Sequence, residues 1–220
     1  YDVTVVELKE KDKTGHDWHD MMDIPVFAAA GIETPEKKDY HEADSIYYRS
    51  PSKKALIPTQ FDESKQAIQI DRKFLLNHLI NQAEQAGAKI LFGQKIIRPI
   101  CNGAWVSGIV ASDGEKEIEY TADLVIDAAG MYSPVRSNLP SHFGILKDIE
   151  DQNIFEIYRA YFKNETGETV ENSYTVDMFH MDKPGIDWAI VNEEYVDLLI
   201  GKFRMCGTLT EQEIDASIQE

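Results

Sequence analysis

The pattern of apolar and polar positions predicts a chain with many short strands and few helices. Tyr1 to Leu8 is a β-branched run with almost no polar interruption before Glu7, which is typical of a parallel strand covered on both faces. Leu124 to Ile126 is a second apolar run, and small residues and a turn at Gly130 follow it. We therefore expect buried strands at both places.

One segment has the period of an amphipathic helix. Asp71 can cap its start, and Gly87 is placed to end it in a left-handed conformation. A strand from Lys89 to Ile97 is expected to follow. The apolar stripe of the helix consists of Leu75, Leu79, Ala83 and Ala86.

Further along, alternating runs and turn residues predict an antiparallel arrangement. Asp113-Gly114 is a strong turn signal between strands at Ala104 to Val110 and Lys116 to Tyr120. A second turn is expected at Lys183-Pro184-Gly185, and Thr210 can cap a final helix. Tyr47 to Ile57 and Gln66 to Ile70 are predicted as short strands separated by Pro58 and a polar turn. The other predicted strands are Ile154 to Phe162, Tyr174 to Met181, Ile186 to Val191 and Val196 to Phe203.

The acidic composition narrows the class of partner. A formal charge of −17 would repel phosphate backbones, so we predict no nucleic-acid partner. No apolar run approaches the length of a membrane span, and no secretory signal opens the chain. Cys101 and Cys206 lack a metal or redox spacing, so reduced thiols and a cytoplasmic location are expected.

Three charged or polar positions suit contacts with a nucleotide. Glu7 ends its strand, where a dinucleotide-binding fold hydrogen-bonds a ribose. Arg72 lies in a first helical turn, where the helix dipole disfavours a cation, so a nearby anion is expected. Ser133 to Arg136 suits the opening of a short helix and a site for negative charge.

His16 to Asp20 combines side chains that can bind metals. A structural zinc site needs about four ligands and an open site about three, and the sequence offers no third ligand cluster nearby. We therefore predict no metal site, and interpret the segment as a solvated loop.

Ala122 to Arg136 resembles the second flavin-contacting segment of the FAD-dependent oxidoreductase superfamily of geranylgeranyl reductases and aromatic-ring hydroxylases (group A flavin monooxygenases). That segment commonly reads Gly-Ala-Asp-Gly-x-x-Ser-x-Val-Arg, and here Asp127 replaces the first glycine and Ala129 the acid. Ile70-Asp71-Arg72 resembles the opening of the family's helix, Ile-Asp-Arg-x-x-Leu. These segments follow the family's order, and the resemblance covers nearly the whole chain.

The resemblance implies FAD as the cofactor and assigns roles to five residues. Glu7 would hold the adenosine ribose, and Arg72 would lie by the flavin or its pyrophosphate. Ala129 and Gly130 would allow close approach of the backbone to the flavin. Trp188, in a degraded form of a reductase motif, would be an apolar wall of the substrate pocket. By the same resemblance, His16 to Met22 would be an altered active-site loop beside the flavin, which is the alternative to a solvated loop. No catalytic residue is identified.

The implied fold is α/β (or α+β), with a partial FAD-binding Rossmann-like domain and an antiparallel β-sheet substrate domain. We expect residues 1–35 and 71–145 to form the first domain, and residues 36–70 and 146–220 the second. No Gly-x-Gly-x-x-Gly loop is present, so we expect a fragment that lacks its first strand and binds free FAD weakly. A second copy or another chain could fill the missing strand.

The expected function is therefore that of an FAD-dependent reductase or dehydrogenase of the geranylgeranyl reductase type. Its substrate would be an apolar or isoprenoid small molecule, and NAD(P)H is an electron donor that the resemblance allows. Ile186 and Ile190 replace the tyrosine and phenylalanine of the reductase motif, which weakens the case for prenyl reduction. The alternatives are a flavin monooxygenase or halogenase of the same fold, a non-catalytic module that has lost flavin, and a nicotinamide-dependent Rossmann dehydrogenase.

Overall fold

The computed structural model of this protein describes residues 1–42, 46–59, 67–170, 175–180, 183–191 and 193–219. The longest strands, of nine residues each, lie in the second half of the chain. In chain order the elements are β1 (Thr4–Val6), β2 (His19–Asp23), α1 (Pro25–Ala29), β3 (His41–Glu42), β4 (Tyr47–Arg49), β5 (Leu56–Pro58), β6 (Ala67–Asp71), α2 (Arg72–Gln85), β7 (Lys89–Leu91), β8 (Lys95–Asn102), β9 (Trp105–Ser112), β10 (Glu117–Thr121), α3 (Pro134–Ser137), β11 (Phe155–Lys163), β12 (Thr175–His180), β13 (Lys183–Val191), β14 (Tyr195–Phe203) and α4 (Glu211–Gln219).

The chain divides into two compact units. Residues 1–15 and 76–149 form unit 1, and residues 16–75 and 150–220 form unit 2. The predicted fold class is confirmed, since parallel and antiparallel strands occur together with helices. The functional division into a flavin domain and a substrate domain stays a prediction, and its boundaries differ from those of the two units.

Unit 1 contains a two-stranded parallel sheet and a three-stranded antiparallel sheet. β1 pairs with β7, which confirms the predicted parallel strand, and β10, β9 and β8 follow one another in the second sheet. The Asp113-Gly114 turn joins β9 and β10 as predicted, with φ of 97° at Gly114. The predicted strand from Lys89 to Ile97 is instead two strands, because the chain turns through Gly93 at φ 67° between β7 and β8.

Two predictions of burial in unit 1 are wrong. Val3 and Val5 are exposed, so β1 is not covered on both faces. Leu124 and Ile126 do not lie in a strand and are 74% and 79% exposed. A strand needs a neighbour to accept and donate its backbone hydrogen bonds, and no described strand pairs with residues 123–129.

The predicted helix termini are confirmed, because local side chains supply the caps. An Asp71 carboxylate oxygen accepts the Phe74 N–H of α2 at 2.7 Å. α3 and α4 start at the predicted serine and threonine: Ser133 Oγ accepts two backbone N–H groups of α3, and Thr210 exchanges hydrogen bonds with Glu213 of α4.

Unit 2 is built on a six-stranded sheet in the order β11-β14-β13-β12-β4-β5, antiparallel except between β12 and β4. The predicted strands Ile186 to Val191 and Val196 to Phe203 lie in β13 and β14, which pair with each other in antiparallel register. Lys183-Pro184-Gly185 is part of β13 and not a turn, because Gly185 pairs with Lys202 in an extended register. Pro58 likewise lies inside β5, which is an edge strand and tolerates the missing N–H.

A second, three-stranded antiparallel sheet in unit 2 has the order β2-β6-β3. Its core is formed by Phe27, Ile68 and Ile70, each no more than 2% exposed. β6 therefore buries its alternate isoleucines, and α2 begins directly after it. This sheet carries β2, the strand from which the candidate site is built.

Candidate functional site

Side chains of β11 hydrogen-bond both backbone groups of His19 on the edge strand β2. The Tyr161 hydroxyl accepts the His19 N–H at 3.0 Å, and Arg159 Nη1 donates to the His19 carbonyl at 3.1 Å. Unpaired backbone groups at a sheet edge are costly when water is excluded, and here polar side chains satisfy them. β2 is thereby fixed to β11 within unit 2.

Arg159 forms a buried ion pair. Its guanidinium donates to both carboxylate oxygens of Asp197, at 2.8 and 2.6 Å, and the Asp197 side chain is only 4% exposed. The pairing of β11 with β14 explains this contact, because Tyr161 lies opposite Asp197 and Arg159 opposite Leu199 on the same face. The fork of a guanidinium matches a carboxylate, so each buried charge is compensated.

Arg72 forms a second bidentate pair, with Asp20. The two distances are 2.6 Å from Nε and 2.5 Å from Nη2, and the Arg72 backbone N–H donates to the Trp18 carbonyl at 3.0 Å. Hydrogen bonding to Asp20 raises the pKa of Arg72, while desolvation and the nearby charge of Arg159 oppose that rise. Asp20 thus supplies an anion at the position that we predicted beside Arg72.

Trp18 lies between these two pairs. Its ring is 5.0 Å from the Arg72 guanidinium carbon and 5.8 Å from that of Arg159, both within the range of cation–π attraction. Arg159 also lies 5.4 Å from the Tyr161 ring and 5.6 Å from the Trp188 ring. We call this group the arginine cluster; its members are Trp18, His19, Asp20, Arg72, Arg159, Tyr161, Trp188 and Asp197.

The arginine cluster contains two buried polar atoms without a hydrogen-bond partner among the described residues. They are His19 Nδ1 and Trp188 Nε1. Burial also raises the pKa of the Tyr161 hydroxyl to about 12, against the lowering effect of the His19 N–H. Tyr161 therefore stays protonated, and the indole N–H of Trp188 is a donor that a carbonyl or carboxylate could satisfy.

The residues predicted from the sequence in unit 1 lie on exposed or half-buried backbone. Glu7 follows β1, and one of its carboxylate oxygens accepts the Lys9 N–H at 2.8 Å. Gly130 has φ of 78°, and a Cβ placed on it would meet no atom within 4 Å. Ala129 N–H donates to Asp127 at 3.1 Å. The open backbone at Gly130 fits the close approach of a ligand.

Asp127 organises the turn that precedes α3. Its carboxylate accepts the Ser133 hydroxyl at 2.6 Å, and Ser133 Oγ in turn accepts the N–H groups of Val135 and Arg136 at 3.1 Å each. The negative charge that we predicted at Ser133 to Arg136 is therefore an internal carboxylate. A phosphate bound at this turn would have to compete with it.

The structure brings together some of the predicted site residues and not others. Arg72 and Trp188 belong to the arginine cluster, whereas Glu7, Ala129 and Gly130 lie in unit 1. Sequence reasoning missed Arg159 and Asp197. A charged residue inside an apolar strand, such as Asp197 between Val196 and Leu198, was the available signal, because charges enter a sheet core only in pairs.

Over the ranges that the structure describes, no three histidine, cysteine or acidic side chains come together as a metal site. Among those same residues, no helix is both long enough and apolar enough to cross a membrane. Both cysteines are free thiols.

No family model and no curated protein matches the sequence. Solved structures do match its fold. A geranylgeranyl bacteriochlorophyll reductase-like protein from Thermoplasma acidophilum is 16% identical, with a TM-score of 0.70 over 100% of this chain and 60% of its own. The myxobacterial chondrochloren halogenase CndH, described as a variant of FAD-dependent halogenases, is 15% identical, with a TM-score of 0.73 over 99% of this chain and 51% of its own.

PqsL, a probable FAD-dependent monooxygenase from Pseudomonas aeruginosa, is also similar, at 15% identity with a TM-score of 0.60 over 92% of this chain and 54% of its own. The chain thus has the fold of these three proteins, which confirms the predicted resemblance at the level of fold. It spans roughly half to three fifths of the length of each of the three.

Proposed function

We propose that this chain is part of an FAD-dependent oxidoreductase. The observation that carries the proposal is the match of 92–100% of the chain to three flavin-dependent or reductase-like proteins. FAD, when bound, would supply the hydride and electron chemistry. Fold alone does not fix activity, so the roles of the individual residues rest on their chemistry.

In unit 1, Glu7, Ala129 and Gly130 are the proposed contacts to the nucleotide. A Glu7 carboxylate oxygen would accept hydrogen bonds from ribose hydroxyls. The open space at Gly130 would admit the ligand to the backbone. The positions flanking this bend are exposed and carry no strand partner among the residues described.

In unit 2, Arg72 and Trp188 are the proposed contacts to the flavin and substrate. Arg72 would present a guanidinium whose orientation Asp20 fixes. The Trp188 ring would be an apolar wall, and its unpartnered N–H would donate to an acceptor atom of the substrate. We propose that the six-stranded sheet is the substrate-binding part, and that the substrate is an apolar small molecule carrying such an acceptor.

Reductase and oxygen-using activities are supported equally by the fold. The resemblance to geranylgeranyl reductases favours hydride transfer to an isoprenoid, whereas CndH and PqsL favour a halogenase or monooxygenase. Stopped-flow reoxidation of the reduced flavin, with and without substrate and NAD(P)H, separates the two. Reoxidation by oxygen that depends on substrate would favour the monooxygenase or halogenase.

A non-catalytic module that has lost flavin is the second candidate function. It is favoured by the two internal carboxylates, Asp127 at the start of α3 and Asp20 on Arg72, which neutralise the positions predicted for an anionic ligand. Retention of FAD by the purified protein would contradict this alternative.

A matched pair of glycine variants tests the flavin proposal. Gly130 and Gly144 both have positive φ, of 78° and 65°, and both have empty space where a Cβ would lie. Gly130→Val should weaken FAD binding about tenfold or more by blocking the backbone, whereas Gly144→Val should only add similar strain. Titration of nitrogen-15 amide resonances with FAD can measure this even if binding is weak. Equal effects of the two variants would contradict a flavin contact at Gly130.

A further inference from the structure

Three residues of β2 and the segment before it connect Arg159 to Arg72. Arg159 donates a hydrogen bond to the His19 carbonyl. The Trp18 carbonyl accepts the backbone N–H of Arg72, and both carboxylate oxygens of Asp20 accept hydrogen bonds from the Arg72 guanidinium. The three residues are consecutive, so a displacement of the His19 peptide necessarily moves its neighbours.

Arg159 is itself immobilised from several sides. Asp197 accepts hydrogen bonds from two nitrogens of the guanidinium. The rings of Trp18, Tyr161 and Trp188 all lie within 6 Å of the guanidinium carbon. Its side chain is only 11% exposed, so water cannot easily replace these partners. The hydrogen bond to the His19 carbonyl is thus donated by a guanidinium with little freedom to move.

Arg72 is more exposed than Arg159. Its side chain is 35% exposed, and exposed ion pairs are individually weak because water competes for both partners. The Arg72–Asp20 pair therefore gains most from a rigid Asp20 backbone, since the entropy of ordering the carboxylate is then already lost.

We propose that Arg159, together with Asp197, is a positioning pair for Arg72. The pair fixes the Trp18–Asp20 segment, which in turn holds the Arg72 guanidinium in one orientation. What Arg72 is oriented toward rests on the proposed function, but the positioning itself does not depend on flavin. Tyr161 lies on β11, the same strand as Arg159, and contributes by accepting a hydrogen bond from the His19 N–H.

The direct test follows the Nε–H of Arg72 by NMR in the folded protein. In Arg159→Met the exchange of this proton with water should accelerate about tenfold or more, because the Asp20 carboxylate is no longer held against it. Arg159→Lys keeps the charge but cannot reproduce the fork, so it should give an intermediate rate. Arg49→Met removes the Arg49–Asp177 ion pair of the same sheet and should leave Arg72 unchanged.

Unchanged exchange of the Arg72 Nε–H in folded Arg159→Met would overturn the proposal. If that variant does not fold, Tyr161→Phe and Arg159→Lys take its place, and unchanged exchange in both would overturn it equally. Backbone amide exchange of β13 distinguishes local loosening from general destabilisation, since it should stay slow. Faster Arg72 exchange with unaltered FAD affinity would support the positioning pair while contradicting the flavin role of Arg72.

Discussion

Two apolar runs of similar sequence have opposite structures. Leu124-Val125-Ile126-Asp127 in unit 1 is largely exposed and forms no strand, while Val196 to Ile200 in unit 2 lies in the buried strand β14. β14 has a hydrogen-bonded neighbour on each side, β11 and β13, whereas no described strand pairs with the first run. An apolar run becomes a strand only where partners complete its backbone hydrogen bonds.

The aspartates of the two runs differ in the same way. Asp197 is buried and compensates Arg159, so its removal leaves a cation in the sheet. Asp127 is exposed and binds only local groups, the Ala129 N–H and the Ser133 hydroxyl. One carboxylate therefore stabilises tertiary packing, and the other shapes a turn.

The largest expected effect comes from removing the buried carboxylate, Asp197. Asp197→Ala should destabilise unit 2 by about 3–5 kcal/mol, because Arg159 would stay buried without its counter-ion. Asp177→Ala removes the partner of Arg49, whose side chain is 38% exposed against 11% for Arg159, and should cost about 1 kcal/mol or less. Urea unfolding followed by tryptophan fluorescence measures both, since Trp18 and Trp188 lie in unit 2. Similar losses in the two variants would contradict the role given to burial.

Close backbone packing allows a second comparison between the units. A Cβ on Gly108 in unit 1 would lie 2.2 Å from the Tyr120 carbonyl oxygen, whereas one on Gly201 in unit 2 would meet the Phe155 ring at 2.5 Å. Gly108→Ala should cost about 2–3 kcal/mol because paired backbone cannot withdraw. Gly201→Ala should cost less, since a ring can rotate. Amide exchange of β9 and β14 reports each effect, and the reverse order would contradict this explanation.

Acidic pH should lower the stability of unit 2, because an ion pair between β14 and α4 depends on an ionised carboxylate. Lys202, only 2% exposed, donates to both oxygens of Glu213 at 2.6 and 2.7 Å, and this contact lowers the pKa of Glu213 to about 2. Because its pKa is lowered in the fold, the Glu213 carboxylate stabilises the fold at pH values above about 4.3, the pKa of a glutamate in the unfolded chain. This stabilisation is lost as the pH falls toward 2. The loss should be on the order of 2 kcal/mol.

Glu213→Gln should remove most of this pH dependence while lowering stability at neutral pH. Glu211→Gln, in the same helical turn, removes a carboxylate that does not contact Lys202 and provides the control. Urea unfolding at several pH values between about 2 and 6 gives the comparison. An unchanged pH profile in Glu213→Gln would exclude Glu213 as the source.

The smallest expected effect is that of a substitution in the exposed run, Leu124 to Asp127. Ile126→Lys should change the stability of unit 1 by about 0.5 kcal/mol or less, because the side chain is 79% exposed and a charge there is readily hydrated. At Ile200, which is fully buried in β14, even the loss of one methyl group in Ile200→Val should cost about 0.5–1.5 kcal/mol. Thermal unfolding measures both. A large loss in Ile126→Lys would mean that this side chain is covered in solution.

Local features of the fold were predictable from the sequence, because they depend on neighbours in the chain. The caps at Asp71, Ser133 and Thr210 and the turn at Asp113-Gly114 need only a few consecutive residues. The candidate site was predictable in part. Arg72 and Trp188 were selected by resemblance, but their link through Trp18 and Arg159 required strands far apart in the chain to meet.

The sequence by itself therefore determined the helix caps, the Asp113-Gly114 turn, the acidic character and the resemblance to a flavin-dependent superfamily. Tertiary structure alone decided which apolar runs became buried strands and which charges found partners. The physical reason is that burial, backbone pairing and charge compensation are properties of the neighbours in space. Asp20 and Asp197 are ordinary acids in the sequence, and become the partners of Arg72 and Arg159 only when β2, β11 and β14 come together.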